Sequence, residues 1–232
     1  MQQNFDAIII GAGAAGLFCA ARAGQRGRRV ALIDHANAMG EKIRISGGGR
    51  CNFTNIGTSP ANFLSQNPHF CRSALARFTP QDFVALVTKH RISYHEKTLG
   101  QLFCDESSQQ IIDMLLDECA KGRVSLMHPV TVQQIRQSDG FVVDTSRGSI
   151  SAPKLVVATG GLSIPATGAT AFGYEVAKQF GVPVTSLRAG LVPLALDAPA
   201  MERYGMLSGV AFDTVARCDD SDAEFREAAL MT

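Results

Sequence analysis

Phe5-Asp-Ala-Ile-Ile-Ile-Gly-Ala-Gly-Ala-Ala-Gly16 runs a short apolar strand directly into a G-x-G-x-x-G turn. A second apolar run, Arg29-Val-Ala-Leu-Ile-Asp34, ends on an acid at the spacing a ribose-binding carboxylate needs. Each part has a physical job. Gly11 allows the tight turn out of the strand, and Gly13 lets backbone approach a pyrophosphate closely. Gly16 lets the next helix pack on the sheet, with the positive end of its dipole toward the anion. Residues 14–26 are helix-compatible, so 5–34 reads as one βαβ unit with a right-handed crossover. The expected dinucleotide contacts here are Gly11, Gly13, Ala14, Ala15, Gly16 and Asp34.

At 232 residues and 46% hydrophobic, the chain is of a size to bury one sizeable core, or to hold one and a half domains. A formal net charge of +1 gives no whole-surface attraction to nucleic acid or anionic membrane, so neither partner is expected. The basic cluster Arg22, Arg26, Arg28 and Arg29 reads as a solvated helix end meeting the dipole. No apolar run reaches the length of a membrane span and no signal peptide precedes Phe5, so a cytoplasmic protein is expected. The cysteines at 19, 51, 71, 104, 119 and 218 show no C-x-x-C pair or zinc spacing, and no metal site is expected. Cys19 and Cys119 fall in helical apolar patterns and read as buried thiols.

Beyond the first unit, residues 39–67 form a Gly-rich, helix-poor stretch too long for an idle loop. Thr79-Pro-Gln-Asp82 carries the signature of a helix start, with Thr79 as N-cap, and that helix should run to about His90. A second helix is expected after Ser107 or Ser108, with Ile111, Ile112, Leu115, Leu116 and Cys119 on one face. From 124 to 152 the pattern is that of a β-meander with a hairpin at Ser138-Asp139-Gly140. Lys154 to Ala158 reads as a buried parallel strand, and Ala171 to Phe180 as a helix closed by Gly181. From Leu191 onward the chain looks strand-like, through Val210, Phe212 and Val215. It ends on an apolar segment, Ala228-Ala-Leu-Met-Thr232, so the polypeptide is expected to stop inside a domain.

Two further segments carry chemistry. In Ser46-Gly-Gly-Gly-Arg-Cys-Asn52, successive glycines can turn backbone N–H groups toward one anionic or carbonyl-rich edge. Arg50 and Lys42 add positive charge there, and Asn52 can both donate and accept. In Ala158-Thr-Gly-Gly161, a strand ends in small residues that allow the chain to pass beneath a bound cofactor.

Those segments, with Ser163-Ile-Pro-Ala-Thr-Gly168 and Leu191-Val-Pro-Leu194, resemble the YhiN/HI0933-like flavoproteins over essentially the whole chain. The resemblance implies an α/β fold: a Rossmann-like, two-dinucleotide-binding FAD domain of glutathione-reductase type. It further implies residues 1–188 as that domain, with a helical segment at about 70–121 and the meander, and 189–232 as the start of an inserted β-rich domain. By position, Gly11, Gly13 and Gly16 would hold the FAD pyrophosphate and Asp34 the adenosine ribose. Ser46, Gly47, Gly48, Gly49, Arg50, Cys51 and Asn52 would line the region from pyrophosphate to flavin. Val132 would lie against the adenine, and Ala158, Thr159 and Gly160 would pass under the cofactor. The chain departs from the family at Asp34, where relatives often carry Glu, and at Thr170-Ala-Phe-Gly173. It also departs at its end, before the family's returning cofactor segment.

The expected function is a flavoprotein oxidoreductase with FAD, a small-molecule substrate and NAD(P)H as a candidate electron donor. An NAD-dependent dehydrogenase and a non-catalytic FAD-binding fragment are the alternatives. Cys51 suggests thiol–disulfide chemistry, but position 56 is Ile, so a packing or ring-contact role is expected instead. An RNA-modifying flavoprotein is conceivable by distant kinship, without support from net charge. His90, His95 and His128 show no partner spacing and read as structural, and no catalytic residue is assigned.

Overall fold

The computed structural model describes residues 3–190, 195–219 and 221–231. The chain divides into two compact units, Met1–Val184 and Thr185–Thr232.

In the first unit the strands are β1 (Gln3–Asn4), β2 (Ala7–Ile10), β3 (Val30–Ile33), β4 (Asn52–Asn55), β5 (Tyr94–Glu96) and β6 (Gln101–Cys104). They continue with β7 (Ser125–Met127), β8 (Val132–Gln137), β9 (Phe141–Thr145), β10 (Gly148–Ala152) and β11 (Leu155–Val157). The helices are α1 (Ala14–Gln25), α2 (Glu41–Ile45), α3 (Arg72–Arg77), α4 (Pro80–Lys89), α5 (Gln109–Lys121) and α6 (Phe172–Gln179).

A parallel sheet in the order β11-β2-β3-β7 forms the middle layer. Its two central strands are apolar at every position from Ala7 to Ile10 and from Val30 to Ile33, as a sheet covered on both faces requires. Strand alternation sends Ile9 and Leu32 into a core with Leu17 of α1 and Ile112 and Leu115 of α5. Ile8, Ile10, Ala31 and Ile33 point the other way, into a core with Val130, Ile135, Val143 and Ile150. That second core lies under the sheet β1-β10-β9-β8. A third, antiparallel sheet, β4-β6-β5, extends from the Gly-rich segment.

Several expectations hold. Thr79 and Asp82 form the capping box at the start of α4: the Asp82 carboxylate accepts from Thr79 N at 2.7 Å, and the Thr79 hydroxyl from Asp82 N at 3.2 Å. α5 begins after Ser108, and β8 and β9 meet at the Ser138–Gly140 hairpin.

Others need correction. The strand expected as the start of the meander, β7, pairs in parallel with β3, so only β8 to β10 form the meander. β11 is not a buried strand but the edge of the parallel sheet, with Val157 40% exposed. The helix-poor segment 39–67 contains α2, and a tight turn over Ser46–Gly49 follows it. Cys119 is fully buried, its Sγ donating to Leu17 O at 3.3 Å, whereas Cys19 is only half-buried.

α1 and α5 touch at glycines. A Cβ on Gly24 would lie 2.4 Å from Gly122 O, so any larger residue there would push the two helices apart. At the same end, Gln25 Nε2 donates to Glu118 Oε2 at 2.8 Å, His90 Nε2 meets Glu118 Oε1 at 2.8 Å, and Lys121 Nζ lies 2.7 Å from both Glu118 and Asp117. His90, His95 (2.7 Å from Asp105) and His128 (3.2 Å from Asn37 O) thus all have partners that their sequence spacing did not reveal.

Desolvation pushes the Glu118 carboxyl up, but hydrogen bonds from Lys121, Gln25 and His90 outweigh it and hold it down at about 2. A depressed carboxyl contributes stability above its unfolded pKa and loses it as pH falls through the folded value. The melting temperature should therefore fall as pH drops from about 4.5 toward about 2. Glu118→Gln should flatten that part of the profile, as thermal melts across the range would show.

In the second unit, α7 (Ala198–Tyr204) starts at Asp197, whose Oδ1 accepts from Ala200 N at 2.9 Å. This helix interrupts the stretch expected to be strand-like. β12 (Ala211–Cys218) and β13 (Ser221–Leu230) then form an antiparallel ribbon. Leu191–Leu194 and Thr232 lie outside the described residues.

Candidate functional site

The carboxyl ends of β2, β3 and β11 open into a cleft of about 690 Å³, within the range of small-molecule sites. Its floor is the glycine turn, where the three glycines have three different jobs. Gly11 has φ +104, and a Cβ on it would lie 2.6 Å from Ala158 O, so it permits both the turn and the passage of the chain after β11. A Cβ on Gly16 would lie 1.7 Å from Gly11 O, so it lets α1 seat on the turn. A Cβ on Gly13 would meet nothing within 4 Å. Protein packing therefore does not require glycine at 13, and the space its missing side chain leaves belongs to the cleft. Gly13 is also the N-cap of α1; no side chain caps this end and no acid sits in its first turn, so its leading N–H groups can meet an anion.

Asp34 stands beside this turn, its Oδ2 accepting from Ala12 N at 2.5 Å and its Oδ1 from Ala36 N at 2.8 Å. The carboxylate ties the glycine turn to the end of β3 and keeps further lone pairs for a ligand. A side chamber of about 270 Å³ opens past it, lined by Val130, Thr131 and Val132 and sharing Gly11, Asp34, His35, Thr159 and Gly168 with the cleft. Thr159 lines both chambers, and its Oγ1 is buried on the Gly173 side, 2.7 Å from where a Cβ on that glycine would lie, without a hydrogen-bond partner among the described residues.

Of the positions named from sequence, Gly11, Gly13, Ala14, Ala15, Asp34, Lys42, Ser46, Cys51, Asn52, Ala158, Thr159 and Gly160 line the cleft. Val132 lines the side chamber, and Gly16 is buried beneath the turn. Gly47, Gly48, Gly49 and Arg50 lie outside the lining of both. The three glycines adopt left-handed backbone, and a Cβ on Gly47 would strike Phe103 at 2.7 Å and Asn52 N at 2.8 Å. The amides of Arg50 and Cys51 are turned back onto Gly47 O and Ser46 O, and Ser108 N holds Gly49 O at 2.7 Å. Packing against Phe103 of β6 and the backbone at the start of β4 thus accounts for glycine at 47, and the left-handed turn for glycine at 48 and 49.

Burial pushes the Cys51 thiol up, and burial above all, aided by Cys51, raises Cys104 to about 11; both are free thiols. A high thiol pKa favours the protonated, unreactive form, as a packing role for Cys51 requires.

Lys42 Nζ donates to Ser163 Oγ at 2.5 Å, joining α2 to the segment after β11 across the cleft. Sequence reasoning gave a role to Ala158, Thr159 and Gly160 at the start of this segment but none to residues 163–168. The segment supplies Ser163, Thr167 and Gly168, the last so close to His35 that a Cβ would lie 2.8 Å from Nε2. The Pro165 and Gly168 turn residues were the visible signal. His35 itself carried none beyond its place after Asp34.

The strand–glycine turn–helix unit, the acid at the tip of β3 and the meander-covered sheet define a Rossmann-type FAD-binding fold. A family model described as the HI0933-like protein Rossmann domain matches residues 5–215, and the chain belongs to this family.

It is 55% identical over 231 residues to a protein of Escherichia coli (strain K12) named ribosomal RNA dihydrouridine synthase, covering 99% of this chain and 58% of the relative. It is 52% identical over 198 residues to the protein of that name from Haemophilus influenzae (strain ATCC 51907 / DSM 11121 / KW20 / Rd), covering 83% of this chain and 49% of the relative. The chain thus spans about half to three fifths of the length of these curated relatives. Among solved structures, glycine oxidase from Bacillus cereus ATCC 14579 superposes with a TM-score of 0.51 at 15% identity, covering 77% of this chain and 58% of that one. That likeness is one of fold. No helix of the described residues is long and apolar enough to cross a membrane.

Proposed function

We propose that this chain is the FAD-binding part of a flavoprotein oxidoreductase that reduces a pyrimidine ring in ribosomal RNA. The observation that carries the flavin half is the open space over Gly13, at the uncapped end of α1 and beside Asp34. The side chamber beside Asp34 fits an extended dinucleotide as well. When bound, FAD supplies two-electron transfer, with NAD(P)H as the electron donor in this reading.

The residues then divide the work. The first turn of α1 meets the pyrophosphate, and Asp34 accepts from the ribose diol. Val132 lies against the adenine in the side chamber. Lys42, Ser46, Cys51 and Asn52 line the cleft away from the adenine, with Lys42 its exposed cation. Residues 1–188 form the cofactor domain in this reading, and 189–232 begin an inserted domain.

The RNA half rests on the two relatives named for ribosomal RNA, more than half identical to this chain. It replaces the expectation of no nucleic-acid partner, which rested on net charge. Net charge sums the surface and is silent on how charge is distributed.

The test is the absorbance spectrum of the purified protein, with mass identification of whatever co-purifies. A flavin spectrum with FAD released on denaturation is expected. A nicotinamide nucleotide in its place would favour a dehydrogenase, and no flavin uptake from an FAD-supplemented solution would sink the proposal.

A further inference from the structure

The end of the parallel sheet opposite the cleft is strongly basic, and three separate segments make it so. Arg22 and Arg26 close α1, and Arg28 and Arg29 lead into β3. Lys89 and Arg91 flank His90 at the end of α4, and Lys121 and Arg123 flank Gly122 at the end of α5. The bonds of His90 and Gln25 to Glu118, and the contact of Gly24 with Gly122, bring these three ends together.

All eight cations are exposed. Arg29 pairs with Asp6, and Lys121 with Asp117 and Glu118. Arg22, Arg26, Arg28, Lys89, Arg91 and Arg123 have no carboxylate within 4.0 Å among the described residues.

Helix electrostatics explains part of this. Arg22, Lys89 and Lys121 stand in last turns, where a cation meets the negative end of the dipole. It does not explain Arg91 and Arg123, which lie beyond the last turn with φ +57 and +52. Helices commonly end on a left-handed residue, and glycine is the usual one because a Cβ is strained there. α1 follows that rule with Gly27, at φ +79. α4 and α5 hold an arginine in the strained position and project it beside the other cations.

We propose that this pole docks the phosphate backbone of RNA, an inference that rests on the RNA-substrate reading above. Six unpaired cations on one face suit a polyanion, through counterion release rather than base recognition. The pole lies about 16 Å from the cleft along the line of β3, as five residue steps of about 3.3 Å separate Arg29 from Asp34. One structured RNA could reach both, whereas a mononucleotide could not.

The test uses a fluorescein-labelled RNA hairpin titrated over a series of salt concentrations. The variant combines Arg26→Ala, Arg28→Ala, Arg91→Gly and Arg123→Gly. Its slope of log affinity against log salt should be shallower by about 3 to 4, and its affinity at moderate salt at least about tenfold weaker. Its melting temperature should hold or rise, because glycine relieves two strained positions. A control carrying Lys97→Ala and Arg147→Ala, exposed cations on other elements, should bind like the parent.

Unchanged affinity and slope in the fourfold variant would overturn the pole while leaving the RNA-substrate reading in place. Equal loss in the control would also overturn it. So would RNA binding that survives while binding to phosphatidylglycerol vesicles is lost, which would assign the pole to a membrane surface. A parent chain that binds no RNA would overturn both the pole and the RNA-substrate reading, and bound flavin would still be judged by its own spectrum.

Discussion

Gly13→Val should strip the protein of flavin and leave it folded. The residue has φ −79 and ψ −170, extended backbone that any amino acid adopts, and its Cβ would enter open cleft. The structural cost is confined to a poorer N-cap, about 1 kcal/mol or less relative to glycine, or a few degrees of melting temperature. The isopropyl group would occupy the space next to the first amides of α1 that a pyrophosphate needs. A loss of at least about 100-fold in flavin affinity, roughly 2.8 kcal/mol, is expected. The ratio of bound flavin to protein, read beside a thermal melt, separates the two effects. Full flavin occupancy would remove the pyrophosphate from this end of α1.

Gly16→Ala, three residues on, should do the reverse and damage the fold itself. Alanine gains about 1 kcal/mol of helix propensity over glycine, so propensity alone predicts stabilisation. The new Cβ would stand 1.7 Å from Gly11 O and 3.0 Å from its carbonyl carbon, and neither is a side chain that can swing away. Relief requires moving α1 off the turn or the turn off β11, at a cost of about 3 kcal/mol or more. The net change is a fall of several degrees in melting temperature. A melt equal to the parent's would mean that α1 has room to shift and that the seating contact is soft.

The βαβ core was legible because its signals are local: apolar runs of four, a glycine turn and helical spacing, all within thirty residues. The capping box at Thr79 was legible for the same reason. β7 was not, since Ser125–Met127 has the same short apolar character as the meander strands beside it. Only its long-range pairing with β3 assigns its sheet. The glycines at 47–49 show a different limit. Left-handed backbone demands glycine equally whether the turn faces a ligand or packs under a phenylalanine, and sequence alone does not distinguish the two. The basic pole was half visible as the cluster from Arg22 to Arg29. Its other half arrives through contacts of Glu118 and Gly122 with residues far away in the chain.

The two backbone hydrogen bonds that Asp34 accepts have a thermodynamic side. With Ala12 N on one oxygen and Ala36 N on the other, the carboxylate is already held in one rotamer before any ligand arrives. A hydroxyl donor that binds it need not freeze a side chain, a step that otherwise costs about 0.5 to 1.5 kcal/mol. Asp34 is thus preorganised in part by the same glycine turn it serves.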